Sequence, residues 1–149
     1  MKYHTEELIL KTKKRQEFLD ITPDLHTLIQ KYAIHDGFMI LYNMHTTSGL
    51  WINEHEDGIL EDMQKILDVF APHDIYYRHD DLSVRTQNLE PGERRNGWAH
   101  IRSALFRTSE TIPIQAGKLR LGKWQAVFYV ELDGPRERTL YVQLYDLLV

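Results

Sequence analysis

The chain has 149 residues, no cysteine and a formal net charge of −4 at pH 7. The lack of cysteine excludes disulfides, thiolate metal sites and thiol nucleophiles, so any metal site has to use His, Asp or Glu. The slightly negative charge, without a long run of either sign, argues against binding to nucleic acid or to an anionic membrane surface.

The length suits one compact domain, and we expect that domain to span residues 1–149 because no linker or repeat divides them. No apolar run reaches the length of a membrane span. The N-terminal segment is too charged for a secretory signal, so a cytoplasmic location is expected.

The N-terminal part of the chain predicts two strands and a helix. Apolar patterning indicates strands over residues 6–13 and 16–21. A helix is expected over residues 22–37, since Thr22 can act as its N-cap and Pro23 suits its first turn. The glycine at the end of this segment is typical of a helix stop.

The middle of the chain predicts a buried strand, a second helix and a long polar loop. The short apolar run 37–45 indicates a buried strand, and apolar residues at helical spacing indicate a helix over residues 55–72. Residues 74–81 are interpreted as a strand that leads into a polar loop over residues 82–97. Loops of this length inside a compact domain often carry function.

The C-terminal part predicts a short helix and three strands. The helix is expected over residues 98–106, and strands over residues 110–117, 118–134 and 136–149. Asp133–Pro135 is interpreted as the hairpin turn between the last two strands. Strands that flank helices without regular alternation indicate an α+β fold with largely antiparallel sheets.

Three histidines lie at borders between apolar elements and polar segments. His45 ends a predicted strand, His79 precedes two aspartates, and His100 begins the short helix. Active sites are commonly built at such borders, and three neutral imidazoles form a known catalytic metal set with one open position. Their spacing matches no local metal motif, which leaves two interpretations: one shared metal site, or ordinary core and surface histidines.

Carboxylates near these histidines also have two interpretations. Glu54, which follows Asn53 before the second helix, can act as a general base near a metal-bound water or can satisfy the donors at the helix start. Asp80 and Asp81 can orient the imidazole of His79 or can belong to a solvated turn.

Arg85 and Gln125 are the remaining polar positions of interest. Arg85 lies in the long polar loop, where a guanidinium can bind phosphate or simply face solvent. Gln125 opens an apolar strand, and a buried unpaired amide is costly. We therefore expect Gln125 to have a partner in a site or at a subunit interface, unless it lies on the solvent face of an edge strand.

Five segments of the sequence carry a resemblance to a known family. They are HTTSGLWINE from His45, YRHDD from Tyr77, NGWAHIRSAL from Asn96, SETIPIQAGKLRLGKWQAV from Ser109 and ELDGPRER from Glu131. In these segments, their order and their gaps, the chain resembles the YjbQ-like family of secondary thiamine-phosphate synthases. The resemblance covers most of the chain.

The resemblance implies a fold, an assembly and a metal. The fold is α+β, a β-sandwich of mostly antiparallel strands with a few flanking helices, and the assembly is a homotrimer. The implied cofactor is a divalent metal, zinc, held by His45, His79 and His100.

The resemblance also implies roles for other residues. Asn53 and Glu54 correspond to the family's Asn-Glu pair, which we take as catalytic. Gln125 corresponds to its Trp-Gln pair and is taken as substrate-binding. Thr46 and Thr47, beside the first histidine, would contact the substrate, as would an arginine of the polar loop such as Arg85.

The chain departs from the family pattern at positions expected to line the pocket. Trp98 stands where a smaller or polar residue is common, and Lys123 adds a cation before the Trp-Gln pair. These departures bear on the identity of the substrate more than on the metal.

Three functions follow from the sequence. The first is a transferase with weak activity that joins hydroxymethylpyrimidine diphosphate to thiazole phosphate. The second is a metal-dependent hydrolase with Glu54 as base, and the third is a non-catalytic trimer that binds a metal or a small anion. The expected partner is a small phosphorylated molecule, and for the hydrolase the substrate is an ester or a phosphate.

Overall fold

The computed structural model describes residues 1–147, in which eight strands form two antiparallel sheets. The strands are β1 (Lys2–Lys11), β2 (Glu17–Asp20), β3 (Gly37–Asn43), β4 (Ser48–Glu54), β5 (Ser109–Gln115), β6 (Lys118–Leu119), β7 (Gln125–Glu131) and β8 (Glu137–Asp146). The helices are α1 (Thr22–Lys31), α2 (Asp57–Phe70) and α3 (Gly97–Ser103), with a one-turn 3-10 helix over Arg78–Asp80. None of the helices within residues 1–147 is long and apolar enough to cross a membrane.

The strands are divided between a larger and a smaller sheet. The five-stranded sheet has the order β1-β8-β3-β5-β6, and the three-stranded sheet has the order β2-β7-β4. The α+β fold and the antiparallel sandwich expected from the sequence are thereby confirmed.

The three-stranded sheet forms the middle layer of the molecule. Val127 and Tyr129 of β7 pack in a core shared with the five-stranded sheet and α1, whereas Phe128 and Val130 pack in a second core with α2 and α3. Side chains alternate between the faces of a strand, so one strand supplies both cores. The helices α2 and α3 therefore cover the face of the small sheet that the large sheet leaves free.

The turn expected at Asp133–Pro135 does not join a hairpin, so that prediction is wrong. β7 pairs with β2 and β4, whereas β8 pairs with β1 and β3, and the segment crosses from one sheet to the other. Glu131 Oε1 accepts from the amides of Leu132 and Asp133, and the Gly134 amide donates to the carbonyl of Arg15, outside both sheets.

Other element predictions differ from the structure in detail. The strand expected over residues 74–81 is wrong: the segment holds the 3-10 helix, and Tyr77 donates through its hydroxyl to the carbonyl of Pro72. Helix α1 has Ile21 at its N-cap position, and the Asp20 carboxylate accepts from the Thr22 amide.

The strand boundaries near the C-terminus also change. The strand expected over residues 118–134 is two strands, β6 and β7, separated by a turn closed by the Gln125 amide and the Gly122 carbonyl. The final strand ends at Asp146, and residues 148–149 of that prediction lie outside the described residues. Strand β4 was not expected.

Candidate functional site

A polar pocket of about 500 Å³ lies where β3 gives way to β4, next to α3. It brings His45 and His100 to one cavity, together with Thr46. The complete lining is Tyr42, Asn43, Met44, His45, Thr46, Ser48, His100, Ser103 and Thr108. We call this cavity the histidine pocket.

Asn43, at the end of β3, fixes the backbone of His45. Its Nδ2 donates to the carbonyls of His45 (3.0 Å) and Ser48 (2.9 Å), and its Oδ1 accepts from the His45 amide (3.3 Å). One buried amide thus closes the turn between β3 and β4 on both sides of the histidine.

Two buried hydroxyl groups form hydrogen bonds to the side chain of Asn43. The hydroxyls of Ser48 and Tyr129 lie 2.7 Å apart, and both reach Asn43 Oδ1, at 3.1 Å and 3.2 Å. Burial raises the pKa of Tyr129 to about 12, so the phenol stays protonated and acts as a donor in this network.

The imidazole of His45 is held by the neighbouring sheet. Its Nε2 accepts the backbone N–H of Thr139 in β8 at 3.1 Å. Burial, followed by the nearby Arg138 guanidinium, holds the pKa of His45 below its ordinary value. The ring is therefore neutral at pH 7.

His100 and His79 form a pair of adjacent rings. Their ring centroids are 4.5 Å apart, with His100 on α3 and His79 in the 3-10 helix. Burial, followed by the proximity of His79, lowers the pKa of His100. Asp80 Oδ1 holds the two elements together because it accepts the amides of Asn96 and Gly97 at 2.9 Å each.

Arg85 supports the polar loop and does not line the histidine pocket. Its guanidinium bonds to both carboxylate oxygens of Glu93 and to the carbonyls of His79, Gln87 and Asn88. The side chain is only 14% exposed. The guanidinium charge is paired with Glu93 inside the loop, and the same group fixes the backbone of His79 through its carbonyl.

Thr47 is buried and bonded inside the protein, unlike Thr46, which faces the pocket. The Thr47 hydroxyl accepts from Arg138 at 2.9 Å, and Arg138 is paired with buried Glu131. Thr47 therefore has a structural role behind the pocket wall.

Asn53, Glu54 and Gln125 lie at the far end of the small sheet. Ser48 begins β4 at the pocket and Glu54 ends it, and six residue steps of a strand span about 20 Å. Glu54 is paired with Gln125 in the β4–β7 ladder, and Gln125 Oε1 accepts from the Gly122 amide. Within one chain, these three residues are not brought to the histidines.

The side chain that accepts the first backbone amides of α2 is that of Glu56, not that of Glu54. The Glu56 carboxylate accepts the amides of Gly58 and Ile59, at 2.8 Å and 2.9 Å. The capping of the helix start, which was the alternative role expected for Glu54, is thus performed by Glu56. Glu54 itself is exposed.

The geometry allows a test of the expected zinc site. Within residues 1–147 no three His, Asp or Glu side chains converge in an arrangement that could hold a metal ion. His79 and His100 are adjacent, but the Nε2 of His45 is engaged with Thr139. The three histidines do not converge within the described part of one chain, and zinc binding by His45, His79 and His100 stays a prediction.

A second cavity, of about 580 Å³, lies on the opposite face of α3. Trp98 lines it, and Trp98 and His100 are two residues apart, which is about 200° around a helix. Trp98 packs against His73 and the Arg102 guanidinium. The tryptophan that departs from the family pattern therefore does not alter the histidine pocket.

The sequence did not indicate the residues that form the buried hydrogen-bond network behind the pocket. Asn43, Ser48 and Tyr129 are polar positions in otherwise apolar strands, which is the signal that could have drawn attention to them. Ser103 and Thr108 carried no signal, because the approach of α3 to β3 is a tertiary feature.

Comparisons with known proteins agree with this architecture. The family model described as "UPF0047 protein YjbQ-like" matches residues 6–146. A UPF0047 protein of Archaeoglobus fulgidus is 37% identical over 92% of this chain and 98% of its own. One from Methanothermobacter thermautotrophicus is 33% identical over 97% and 93%.

Solved structures show the same fold. A YbjQ-like protein of unknown function from Sulfolobus solfataricus superposes with a TM-score of 0.83 at 28% identity, covering 97% of this chain and 98% of that one. A hypothetical protein from Aeropyrum pernix gives a TM-score of 0.82, also at 28% identity, over 96% and 98%. The chain therefore belongs to the UPF0047, YjbQ-like family.

Proposed function

We propose that the histidine pocket binds a small phosphorylated molecule and that the chain acts there as a transferase that releases diphosphate. The observation that carries this proposal is the chemistry of the lining. Among the described residues, no carboxylate lines the pocket. Two imidazoles and the hydroxyls of Tyr42, Thr46 and Thr108 line it, whereas the Asn43 amide and the hydroxyls of Ser48 and Ser103 bond within the protein. Such a surface offers donors to an oxyanion and no charge that repels it.

The size of the pocket supports the same ligand class. A volume of about 500 Å³ lies in the range of sites for metabolite-sized ligands. Burial, followed by the Arg138 guanidinium behind the pocket wall, lowers the pKa of His45, and the ion-pair partner of Arg138, Glu131, offsets part of that positive charge.

The resemblance supplies the specific reaction within this class. In thiamine-phosphate formation, the thiazole nitrogen attacks the methylene carbon of the pyrimidine diphosphate, and the carbon–oxygen bond breaks. Diphosphate leaves with the bonding electron pair, so negative charge grows on the departing oxygen. Fixed hydrogen-bond donors aimed at that oxygen lower the barrier.

Metal-dependent hydrolysis is the second candidate, and the adjacency of His79 and His100 favours it. Neutral imidazoles suit zinc-like ions, and burial favours the neutral form of His100. Glu54 lies at the other end of β4, so its role as base has no support within one chain. Zinc stoichiometry measured for the purified protein and for His79→Ala tests this candidate.

Calorimetric titration with inorganic diphosphate tests the proposed binding. His100→Ala is expected to weaken binding by about tenfold or more, because a hydrogen bond to a charged group contributes about 1.5–3 kcal/mol. His26→Ala is the matched control, since His26 lies on α1 and does not line the pocket. Equal affinities of wild type and His100→Ala would contradict the proposal.

Turnover separates the transferase from a binding protein. Wild type is expected to form thiamine phosphate from the two phosphorylated substrates, and His100→Ala to form less, with His26→Ala unchanged. If diphosphate binds but neither substrate pair nor phosphate esters turn over, the third function, a non-catalytic anion-binding protein, replaces the transferase.

A further inference from the structure

The hydrogen bond between Thr139 and His45 decides which nitrogen of the ring carries the proton. A neutral imidazole has one N–H and one free lone pair. The Thr139 amide can only donate, so the Nε2 of His45 must use its lone pair to accept. The proton of the neutral ring then lies on Nδ1.

The position of Thr139 explains why this bond is part of the fold. β3 pairs with β8 as far as Asn43 and Leu140, and the chain then turns away toward β4. The next amide of β8 on that side belongs to Thr139 and has lost its strand partner. The imidazole of His45 replaces the missing carbonyl and satisfies a backbone donor that would be costly to leave unpaired.

From this geometry we infer that His45 is a hydrogen-bond donor with a fixed tautomer, which presents Nδ1–H to a bound ligand, and that His45 is not a metal ligand. The inference deepens the proposed function, on which it rests for the phosphorylated nature of that ligand. The Nδ1–H group of His45 donates a hydrogen bond to an oxygen of the bound anion.

Metal coordination by His45 through either nitrogen conflicts with the bond between Nε2 and the Thr139 amide. Coordination through Nε2 requires the ring to release the Thr139 amide. If Nδ1 binds a metal while Nε2 still accepts the Thr139 amide, both ring nitrogens must have a free lone pair. Only the imidazolate anion, which has lost both N–H protons, meets that requirement. Reversal of the ring would place a C–H group opposite the amide, and Asn43 restrains the backbone on both sides of His45.

The Thr139 bond itself requires the neutral state, because the imidazolium has no lone pair on Nε2 to accept the amide. A neutral imidazole held as a donor stabilises negative charge on a ligand without giving up its proton in the ground state. The remaining imidazoles, His79 and His100, are free of this constraint.

Side-chain ¹⁵N NMR of the full chain tests the inference, with His45 assigned by comparison with His45→Gln. The glutamine oxygen can replace Nε2 as the acceptor for Thr139, so this variant keeps the fold while it removes the ring. At pH 7.5 we expect His45 to show a pyrrole-type Nδ1 and a pyridine-type Nε2. Saturating Zn²⁺ should leave both signals unchanged, and inorganic diphosphate should shift Nδ1.

The outcomes separate the inference from the proposed function. A pyridine-type Nδ1, or a Zn²⁺-dependent shift of either nitrogen of His45, would overturn the inference. Diphosphate that shifts no histidine signal would overturn the proposed ligand class, whatever tautomer His45 has. Zinc stoichiometry gives a second measurement, since His45→Gln should bind as much zinc as wild type.

Discussion

Glu131 and Arg138 form an ion pair that is almost fully enclosed by the protein. Arg138 bonds to both oxygens of Glu131 and to the Thr47 hydroxyl, while Thr12 and two backbone amides complete the shell of the carboxylate. Burial raises the pKa of Glu131, but the bonds from Arg138 and from the Asp133 amide outweigh it and hold the pKa below its ordinary value. The carboxylate is therefore charged, and its shell is complete.

Removal of one member of this pair should be far more costly than removal of both. Arg138→Met is expected to lower the free energy of unfolding by about 3–5 kcal/mol, because it leaves Glu131 charged and unpaired in the interior. The double variant Glu131→Leu, Arg138→Met should recover part of that loss. Urea unfolding of wild type, Arg138→Met and the double variant measures the effect, and a double variant no more stable than Arg138→Met would contradict it.

At the same scale, the structure places the predicted site residues in different surroundings. His45 and His100 line one pocket, whereas their role as metal ligands stays a prediction. Arg85 and Thr47 are polar, as a ligand site requires, but both bond inside the protein. Arg85 bonds to Glu93, and the Thr47 hydroxyl accepts from Arg138. No local pattern distinguishes an arginine that faces a ligand from one that faces a loop carbonyl.

The element that organises the site is α3, which separates the two cavities and carries His100. It has only seven residues, so its position depends on contacts at its ends. Asp80 accepts two amides at its N-terminus, and Gly97 lies so close to Tyr77 that an added Cβ would come within 2.7 Å of it. The 3-10 helix thus fixes both histidines of the adjacent pair.

Loss of the Asp80 carboxylate should loosen α3. Asp80→Ala is expected to lower the free energy of unfolding by about 1 kcal/mol, the usual cost of a lost helix N-cap. Asp80→Asn keeps an acceptor oxygen and should lose less. Denaturant unfolding gives the comparison, and it would contradict the capping role if both variants matched wild type.

Elements were predictable where one face is buried and the other is not. α1 and α2 have clear helical spacing, and β1 alternates in exposure along its length. β4 and β7 belong to a middle layer buried on both sides, so they lack alternation. That explains why β4 was missed and why β7 was given the wrong partner.

On the scale of the whole molecule, the outer face of the five-stranded sheet is rich in aromatic side chains. Tyr3 and Tyr42 are 65% and 47% exposed, and Phe38 stacks on Tyr145 with a centroid distance of 4.6 Å. Tyr42 also lines the histidine pocket. An exposed apolar face of this kind supports the homotrimer that the resemblance implies.

Light scattering tests the homotrimer. We expect a mass of three chains of 17.7 kDa each at micromolar concentration. Tyr3→Asp combined with Tyr42→Asp should lower the mass, because charges would be buried at the interface. Val69→Asp on the exposed side of α2 is the control and should not change it. A wild-type monomer would contradict the prediction.

The pairing of β1 with β8 sets the order in which the chain can fold. Lys2 lies opposite Asp146 and Lys11 opposite Glu137, and among the described residues β1 has no other partner strand. Contacts between residues so distant in sequence slow folding. During synthesis, β1 therefore has to wait, unpaired, until residues 137–146 have left the ribosome, and His45 gains its Thr139 partner only at that last step. The same strand joins β1 to β3 and fixes the imidazole of His45, so a chain interrupted before β8 has neither contact.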